Sequence, residues 1–386
     1  MREEERDQVL SMHVQTFNFP SSLPDRYRSA PVDSVRILTD NNRVRAALHI
    51  FPFGQIFGSQ VVSCAGIGGV KVSPEARGKG FGSILMKATL SELRCGGKAI
   101  STLYPTNPGI YRRMGYELAG KLTQFQIPLP AVPRVDEDVT VEPWDEKTLP
   151  DIVESYRGFA RQSNGLLERP LHWWTERVLA HSERPVYKYL ARRRGVITGY
   201  LIYVQEPEPG DLPYCFSIAC RDLVWHDCQS ARAMLAFAGS HRGLGKNLFW
   251  YAPAENPLAL LLNQDVVRVR WSYPWMTRLV CVTEALQGRG YPQSLKAALE
   301  LQVTDSVLPE NDGPIRVEVC DGVARVTPVK NASARVDVGI LSAMYTGWLP
   351  ASDAVRLGRL ENATSQEIAT IEAMFAGPKP WLGEMF

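Results

Sequence analysis

The run Gly69-Val70-Lys71-Val72-Ser73-Pro74-Glu75-Ala76-Arg77-Gly78-Lys79-Gly80-Phe81-Gly82 decides how the chain is read. An apolar strand, Gln60 to Val72, feeds a basic glycine loop. A helix from about Ser83 to Arg94 follows and is stopped by Gly96-Gly97; a short strand, Ala99 to Leu103, comes next. A glycine loop at a helix N-terminus is an anion site. The first backbone N–H groups have no partner inside the helix, and the helix dipole puts partial positive charge on the same spot. Glycines let backbone touch a diphosphate, and Arg77 and Lys79 add fixed charge. A P-loop needs Ser or Thr after Gly78-Lys79, where Gly80 stands, and the Rossmann spacing is absent because Gly78, Gly80 and Gly82 alternate.

The pattern Arg77-x-x-Gly80-x-Gly82, between a strand and a helix, resembles the pyrophosphate loop of the GNAT superfamily of N-acetyltransferases. The segment Ile110-Tyr111-Arg112-Arg113-Met114-Gly115-Tyr116 is similar to a second element of that superfamily, aromatic-x-x-x-Gly-aromatic. The resemblance implies that Arg77, Gly78, Lys79, Gly80, Phe81 and Gly82 hold the diphosphate of acetyl-CoA. It also implies that backbone around Val70, Lys71 and Val72 takes the pantetheine arm as an added strand, with the N–H of Val70 or Val72 on the thioester carbonyl. Thr106 then offers a polar side chain near CoA, and Tyr111 lies near the thioester sulfur. A phenol of ordinary pKa, about 10, is protonated at neutral pH and can give its proton to the departing thiolate. Tyr116 reads as a packing aromatic.

At 386 residues, two or three domains are expected. A formal net charge of +2 makes no case for nucleic acid or an anionic membrane as partner. No apolar run approaches the ~20 residues of a membrane-spanning helix, and the start MREEERDQ is no signal peptide. Seven cysteines, an odd number without C-x-x-C spacing, fit reduced thiols in a cytoplasmic protein. Six dispersed histidines predict no metal site.

Taken in order, Glu3 to Phe17 is expected to be an amphipathic helix with Val9, Leu10, His13, Val14 and Phe17 on one face. Strands at Val35 to Leu38 and Arg43 to Phe53 flank the turn Asp40-Asn41-Asn42. Lys121 to Leu129 closes a first domain, residues 1–130; the strand that normally opens the acetyltransferase fold is not read here, so either the natural start lies upstream of Met1 or the sheet does without that edge. Residues 131–275 repeat the element order, with helices at Asp151 to Ser163 and Leu171 to Ala180, strands at Val186 to Ala191, Gly199 to Gln205 and Ser217 to Trp225, and a helix at Ser230 to Gly239. In this second, degenerate copy the glycines of Arg242-Gly243-Leu244-Gly245-Lys246 follow their helix instead of preceding it, and read as a turn. Residues 276–386 read as strands at Ile315 to Val319 and Val323 to Pro328, then helices at Asp337 to Thr346, Ser352 to Leu360 and Ser365 to Phe375. That order resembles a sterol-carrier-like α+β domain. The fold class is thus α/β (α+β): tandem mixed sheets of the GNAT type plus a sterol-carrier-like unit.

This arrangement resembles the enhanced intracellular survival (Eis) family. Arg169-Pro170 with Trp174, Ala285-Leu286-x-x-Arg289-Gly290-Tyr291, Asp321-Gly322-x-Ala324-Arg325-x-Thr327-Pro328 and the end Met374-Phe375-Ala376…Phe386 are similar to it as well. The resemblance implies an N-acetyltransferase, typically hexameric, in which the terminal carboxylate of Phe386 accepts the proton of a primary amine. An α-carboxylate of ordinary pKa, about 3.5, is ionised at neutral pH. Pro378 and Pro380 stiffen the tail, and Trp381, Leu382, Met385 and Phe386 are its expected apolar anchors. Phe17, Phe19, Tyr27, Glu384 and Met385 are the expected substrate contacts. Family members that acetylate aminoglycosides carry acids where this chain has Phe19 and Met385, with Asp25 and Glu384 shifted. Aminoglycosides therefore stay among the candidate acceptors without being the expected ones. Two alternatives remain: a longer acyl donor, and a non-enzymatic lipid carrier using the third domain.

Overall fold

The computed structural model describes residues 1–19, 30–135, 137–180, 184–208 and 212–386. Tyr27 and Asp25 lie outside the described residues. Contacts divide the chain into two compact units: Met1–Gly120 with Pro274–Pro378 and Glu384–Phe386, and Lys121–Tyr273 with Lys379–Gly383. The first and third sequence segments therefore build one body.

In the first unit, helix α1 (Arg6–Phe17) precedes strands β1 (Val35–Asp40), β2 (Arg43–Phe57) and β3 (Gln60–Val72). Asn41 and Asn42 both have positive φ, which lets the β1–β2 turn match the strand twist. The buried face of α1 keeps Val9 and His13 of the expected set and adds Met12. Leu10, Val14 and Phe17 stay partly exposed, because the helix rests on Val35, Val44 and Ala47 through Val9 and Met12. Helix α2 (Phe81–Cys95) begins two residues earlier than expected, since Gly80 in the left-handed region is its N-cap. Then come β4 (Ile100–Leu103), the short α3 (Pro108–Arg112) and β5 (Glu117–Pro128). Leu85, Met86, Leu90 and Leu93 of α2 pack on Leu48, Ile50, Ala65 and Ile67 of the sheet.

The second unit contains β6 (Thr140–Pro143), α4 (Leu149–Ala160), β7 (Leu167–Glu168), β8 (Val186–Arg193), β9 (Val196–Pro207), β10 (Phe216–Trp225), α5 (Cys228–Ser240) and β11 (Gly245–Ala252). The expected helix at Leu171 to Ala180 shrinks to Leu171–Trp173 plus a wider-wound turn at Trp174–Val178. The turn at His241–Gly243 matches expectation, but Gly245 already opens β11, a strand with a buried centre that the apolar run Leu248-Phe249-Trp250 could have announced. Arg169 is tied to Asp222 at 2.5 Å, and its guanidinium carbon lies 3.8 Å from the centroid of the Tyr156 ring and 5.0 Å from that of Trp174. The Arg169-Pro170…Trp174 motif is therefore a packed core feature.

Strand β12 (Arg268–Leu279) pairs Met276–Leu279 with β4, so the expected boundary at 275/276 falls inside a strand. After α6 (Val282–Gly288), strands β13 (Ala297–Thr304), β14 (Gly313–Cys320), β15 (Val323–Pro328), β16 (Arg335–Asp337) and β17 (Leu360–Glu361) form a sheet in the order β15-β14-β13-β16-β17. Helices α7 (Val338–Tyr345), α8 (Ala351–Arg356) and α9 (Ser365–Met374) complete it. Among the described residues no helix is long and apolar enough to cross a membrane.

The Gly58-Ser59 turn between β2 and β3 is pressed against Gly290. A Cβ on Gly290 would sit 1.8 Å from the Gly58 carbonyl oxygen, and Gly290 N–H donates to the Phe57 carbonyl at 3.1 Å. Gly290→Ala is expected to cost about 2–4 kcal/mol, because backbone cannot yield as a side chain does. A urea midpoint unchanged from the parent would contradict this packing.

Candidate active site

Parallel pairing of β3 with β4 runs through Cys64↔Ile100, Ala65↔Ser101 and Gly66↔Thr102 and then ends. Beyond Gly66 the edge of β3 has no β4 partner among the described residues. On its other side β3 is joined to β2, with Ala47 opposite Lys71 but His49 opposite Gly68, so Gly69 and Val70 together face Leu48. That is a β-bulge, made by Gly69 at φ +58°. It turns the strand and presents backbone toward the open wedge.

The glycine loop lies at the end of this strand. Gly78 (φ +78°) and Gly80 (φ +84°) occupy the left-handed region, and a Cβ on either would meet nothing within 4 Å. The space over the loop is open. The first turn of α2 starts with Ile84 N–H on the Gly80 carbonyl at 3.0 Å, which leaves the N–H groups of Phe81, Gly82 and Ser83 without intrahelical acceptors. A Cβ on Gly82 would stand 3.2 Å from Val72, so glycine lets the helix N-terminus approach the strand. Arg77 and Lys79 are exposed and make no ion pair among the described residues. Donors, dipole and free cations are what a diphosphate requires. Thr106 is exposed in the loop after β4, beside Asn107, whose side chain caps α3 through Gly109 N–H at 3.0 Å.

Tyr111 on α3 is buried, its ring 6.2 Å from that of Tyr116 and edge-on to it. Tyr116 packs as expected, its hydroxyl donating to Ser101 at 2.7 Å. Burial raises that phenol well above its ordinary range.

The end of the chain lies on β3. A Cβ on Gly68 would be 2.8 Å from the carboxyl carbon of Phe386, and one on Gly66 would be 2.7 Å from its ring. The ring is held by Phe51, Phe53 and Tyr104 at centroid distances of 5.5, 5.4 and 6.4 Å. Two glycines on one strand face thus form the seat of the terminal residue, a role the sequence reading did not assign to them. Trp381 and Leu382 are buried, and Trp381 N–H donates to the Asn164 carbonyl at 3.0 Å. Met385 departs from expectation: at 50% exposure it anchors nothing, and Glu384 is the buried residue of that pair. Phe17 and Phe19 are partly exposed, with ring centroids 4.8 and 5.3 Å from that of His13.

Lys71 is only 2% exposed, and its ammonium donates to the Gly69 carbonyl at 3.1 Å, inside the bulge. It is thus aimed into the protein and contributes to a cofactor site only through its backbone. Burial lowers its pKa to about 8. Burial, helped by Lys71, lowers His13 to about 4, so this imidazole is neutral at pH 7.

In the second unit β10 and β11 also pair in parallel, through Ala219↔Phe249, but the following helix α5 is capped by Asp227. Its carboxylate accepts from Ser230 N–H at 2.8 Å and pairs with Arg193 at 3.0 Å. An acid stands where the first unit has glycine, and it would repel a diphosphate.

Three family models match the chain: acetyltransferase (GNAT) domains at residues 1–119 and 165–279, and a sterol carrier protein domain at 282–383. An N-acetyltransferase Eis of Mycobacterium tuberculosis is 25% identical over 342 residues, covering 84% of this chain and 80% of its own. The chain is a GNAT acyltransferase. An uncharacterised N-acetyltransferase of Streptomyces griseus is 24% identical over 354 residues, 86% of this chain and 84% of that protein. A crystal structure of a GCN5-related N-acetyltransferase from Anabaena variabilis superposes with a TM-score of 0.94 at 28% identity, over 100% of this chain and 98% of that one. GNAT domains in general use acetyl-CoA, and the open glycine loop of this enzyme fits that donor.

Lys71 makes the stability of the enzyme pH-dependent. Its pKa is about 8 when folded against the ordinary lysine value of 10.5, so between those limits the unfolded chain binds more protons and stability rises with pH. Lys71→Met is expected to stabilise the fold at pH 7 by up to about 3 kcal/mol less the lost hydrogen bond, read as a higher melting temperature, with the gain shrinking toward pH 10. Thermal melts that show Lys71→Met less stable at pH 7, or a difference flat with pH, would contradict this.

Proposed function

We propose that this enzyme transfers acetyl from acetyl-CoA directly to a primary amine, with Tyr111 as general acid and the Phe386 carboxylate as base. The observation that carries the reading is the seating of the terminal carboxylate on Gly68, one residue from the bulge that opens the edge of β3. A chain end is usually frayed. Here it is caged by three aromatic rings, beside the strand edge to which this reading assigns the thioester.

In this mechanism Arg77, Lys79 and the amides from Gly78 to Gly82 bind the diphosphate, and the edge from Val70 to Val72 takes the pantetheine arm. The N–H of Val70 or Val72 stabilises the oxyanion. As the amine nitrogen bonds to the carbonyl carbon, Phe386 takes the amine proton. As the carbon–sulfur bond breaks, Tyr111 delivers its proton to sulfur. Holding both reactants in one wedge supplies much of the acceleration. The acceptor side presents Phe17, Phe19, Phe51, Phe53 and neutral His13 among the described residues, which suits an amine with an apolar body.

Gly68→Ala puts a methyl onto the terminal carboxylate. It is expected to lower kcat about 100-fold, while KM for acetyl-CoA changes little. Thiol release by this variant at the parental kcat would remove Phe386 from the mechanism. One residue added after Phe386 moves the carboxylate along the chain and is expected to abolish turnover while leaving acetyl-CoA-induced thermal stabilisation intact. Full activity of the extended chain would refute the base assignment.

A further inference from the structure

The helix that carries Tyr111, Pro108–Arg112, is five residues long. A helix of that length does not hold itself, so the direction of its side chains depends on what clamps its two ends. Asn107 clamps the first end, through its side-chain oxygen on Gly109 N–H. The second end is the turn Tyr111–Tyr116. It closes with Met114 N–H on the Tyr111 carbonyl at 2.8 Å and Tyr116 N–H on the same oxygen at 3.2 Å. Its outward carbonyl, Met114, accepts from Nη1 of Arg278 at 2.5 Å.

Arg278 comes from β12 and is fully buried. Its Nη2 donates to both carboxylate oxygens of Asp305, at 2.9 and 2.6 Å. The guanidinium lies against Gly115, where a Cβ would be 1.6 Å from Nη1; only a glycine at this site, with φ +79°, admits the fork. Asp305 also accepts from the N–H groups of Val307 and Leu308, each at 3.0 Å, and from the Asn311 side chain at 2.9 Å. Burial alone would raise this carboxyl, but Arg278 and these hydrogen bonds outweigh it and hold the group below its usual range. The Asn311 oxygen in turn accepts from Arg94 at 2.7 Å and from Val282 N–H at 3.0 Å. Arg94 belongs to the last turn of α2, the helix whose first turn is the diphosphate site.

One chain of hydrogen bonds, buried from Asn311 onward, therefore runs from the far end of the donor-binding helix to the turn behind Tyr111. Its two central members, Asp305 and Asn311, belong to the sterol carrier segment. A buried ion pair is a poor device for stability as such, because apolar groups of the same shape do as well. A planar fork that spans a carbonyl and a carboxylate does something apolar groups cannot: it fixes the distance between two backbone segments.

We propose that Arg278, locked by Asp305 and Asn311, is the positioning residue for the Tyr111 phenol, so that the sterol carrier segment serves as a rigid buttress of the acetyltransferase site. This rests on the reading of Tyr111 as general acid. The segment then contributes to turnover without touching either substrate.

A double-mutant cycle on the full-length enzyme tests it, with kcat and KM for acetyl-CoA measured by thiol release. Arg278→Lys keeps a cation beside Asp305 but cannot reach both partners. It is expected to lower kcat about 10–100-fold with KM within about twofold, the cost of misplacing a catalytic group by an ångström or less. Tyr111→Phe alone lowers kcat, and adding it to Arg278→Lys is expected to cost little more, because the two act as one unit. Parental kcat in Arg278→Lys, or factors that multiply in the double variant, would overturn the positioning role and leave Tyr111 standing. Parental kcat in Tyr111→Phe alone would remove the phenol from the mechanism and this inference with it. If Arg278→Lys does not fold, Asn311→Ala takes its place in the same cycle. There the expected loss in kcat is about 3–10-fold, again non-additive with Tyr111→Phe, and multiplying factors again overturn the proposal.

Discussion

The constraint from which the site follows is the point where β4 stops pairing with β3. Backbone N–H and C=O groups do not stay unpaired in an interior. After Gly66 the strand edge nonetheless runs on to Val72 with no β4 partner among the described residues, and the bulge at Gly69 turns it further away. An extended amide-bearing chain is the natural complement of such an edge, and the pantetheine arm of a CoA thioester is one. The glycine loop lies at the far end of the same strand, so the proposed sites for diphosphate, arm and thioester follow one stretch of backbone.

The terminal residue uses the other property of this strand, its lack of side chains. Gly66 and Gly68 share a face, and the missing Cβ atoms make the depression in which Phe386 lies. Aromatic rings on the neighbouring strand β2 close it. Burial of a large ring offsets the entropy of ordering a chain end, which explains how a group as mobile as a C-terminal carboxylate can be held for chemistry.

Lys71 shows that the same strand carries a cost. Its ammonium is buried beside a carbonyl and a neutral imidazole, and the downward shift of its pKa reports how poorly the surroundings compensate it. Destabilised groups of this kind concentrate near functional sites. The Arg278 fork is the opposite case, a charge surrounded by partners, and it ties the first and third segments of sequence into one body.

Much of this was legible from residue order alone. The span of β3, the Asn41-Asn42 turn and the glycine loop before α2 rest on local signals, whereas the Tyr111–Tyr116 segment and the sterol-carrier-like third part are read from family resemblance. Glycine and asparagine tolerate positive φ, apolar period marks strand or helix, and a helix start exposes its own amides; none of these needs a distant residue. Other features needed the tertiary structure: β11 as a core strand, the exposure of Met385, the face of α1 that is buried, the burial of Lys71, and the clamp of Arg278 on Met114. Each depends on partners far away in sequence, as with the 164 positions between Met114 and Arg278. The chain order determined which groups could do the chemistry. Which of them meet was decided by packing, because contact distance follows the path of the folded backbone and not spacing along the chain.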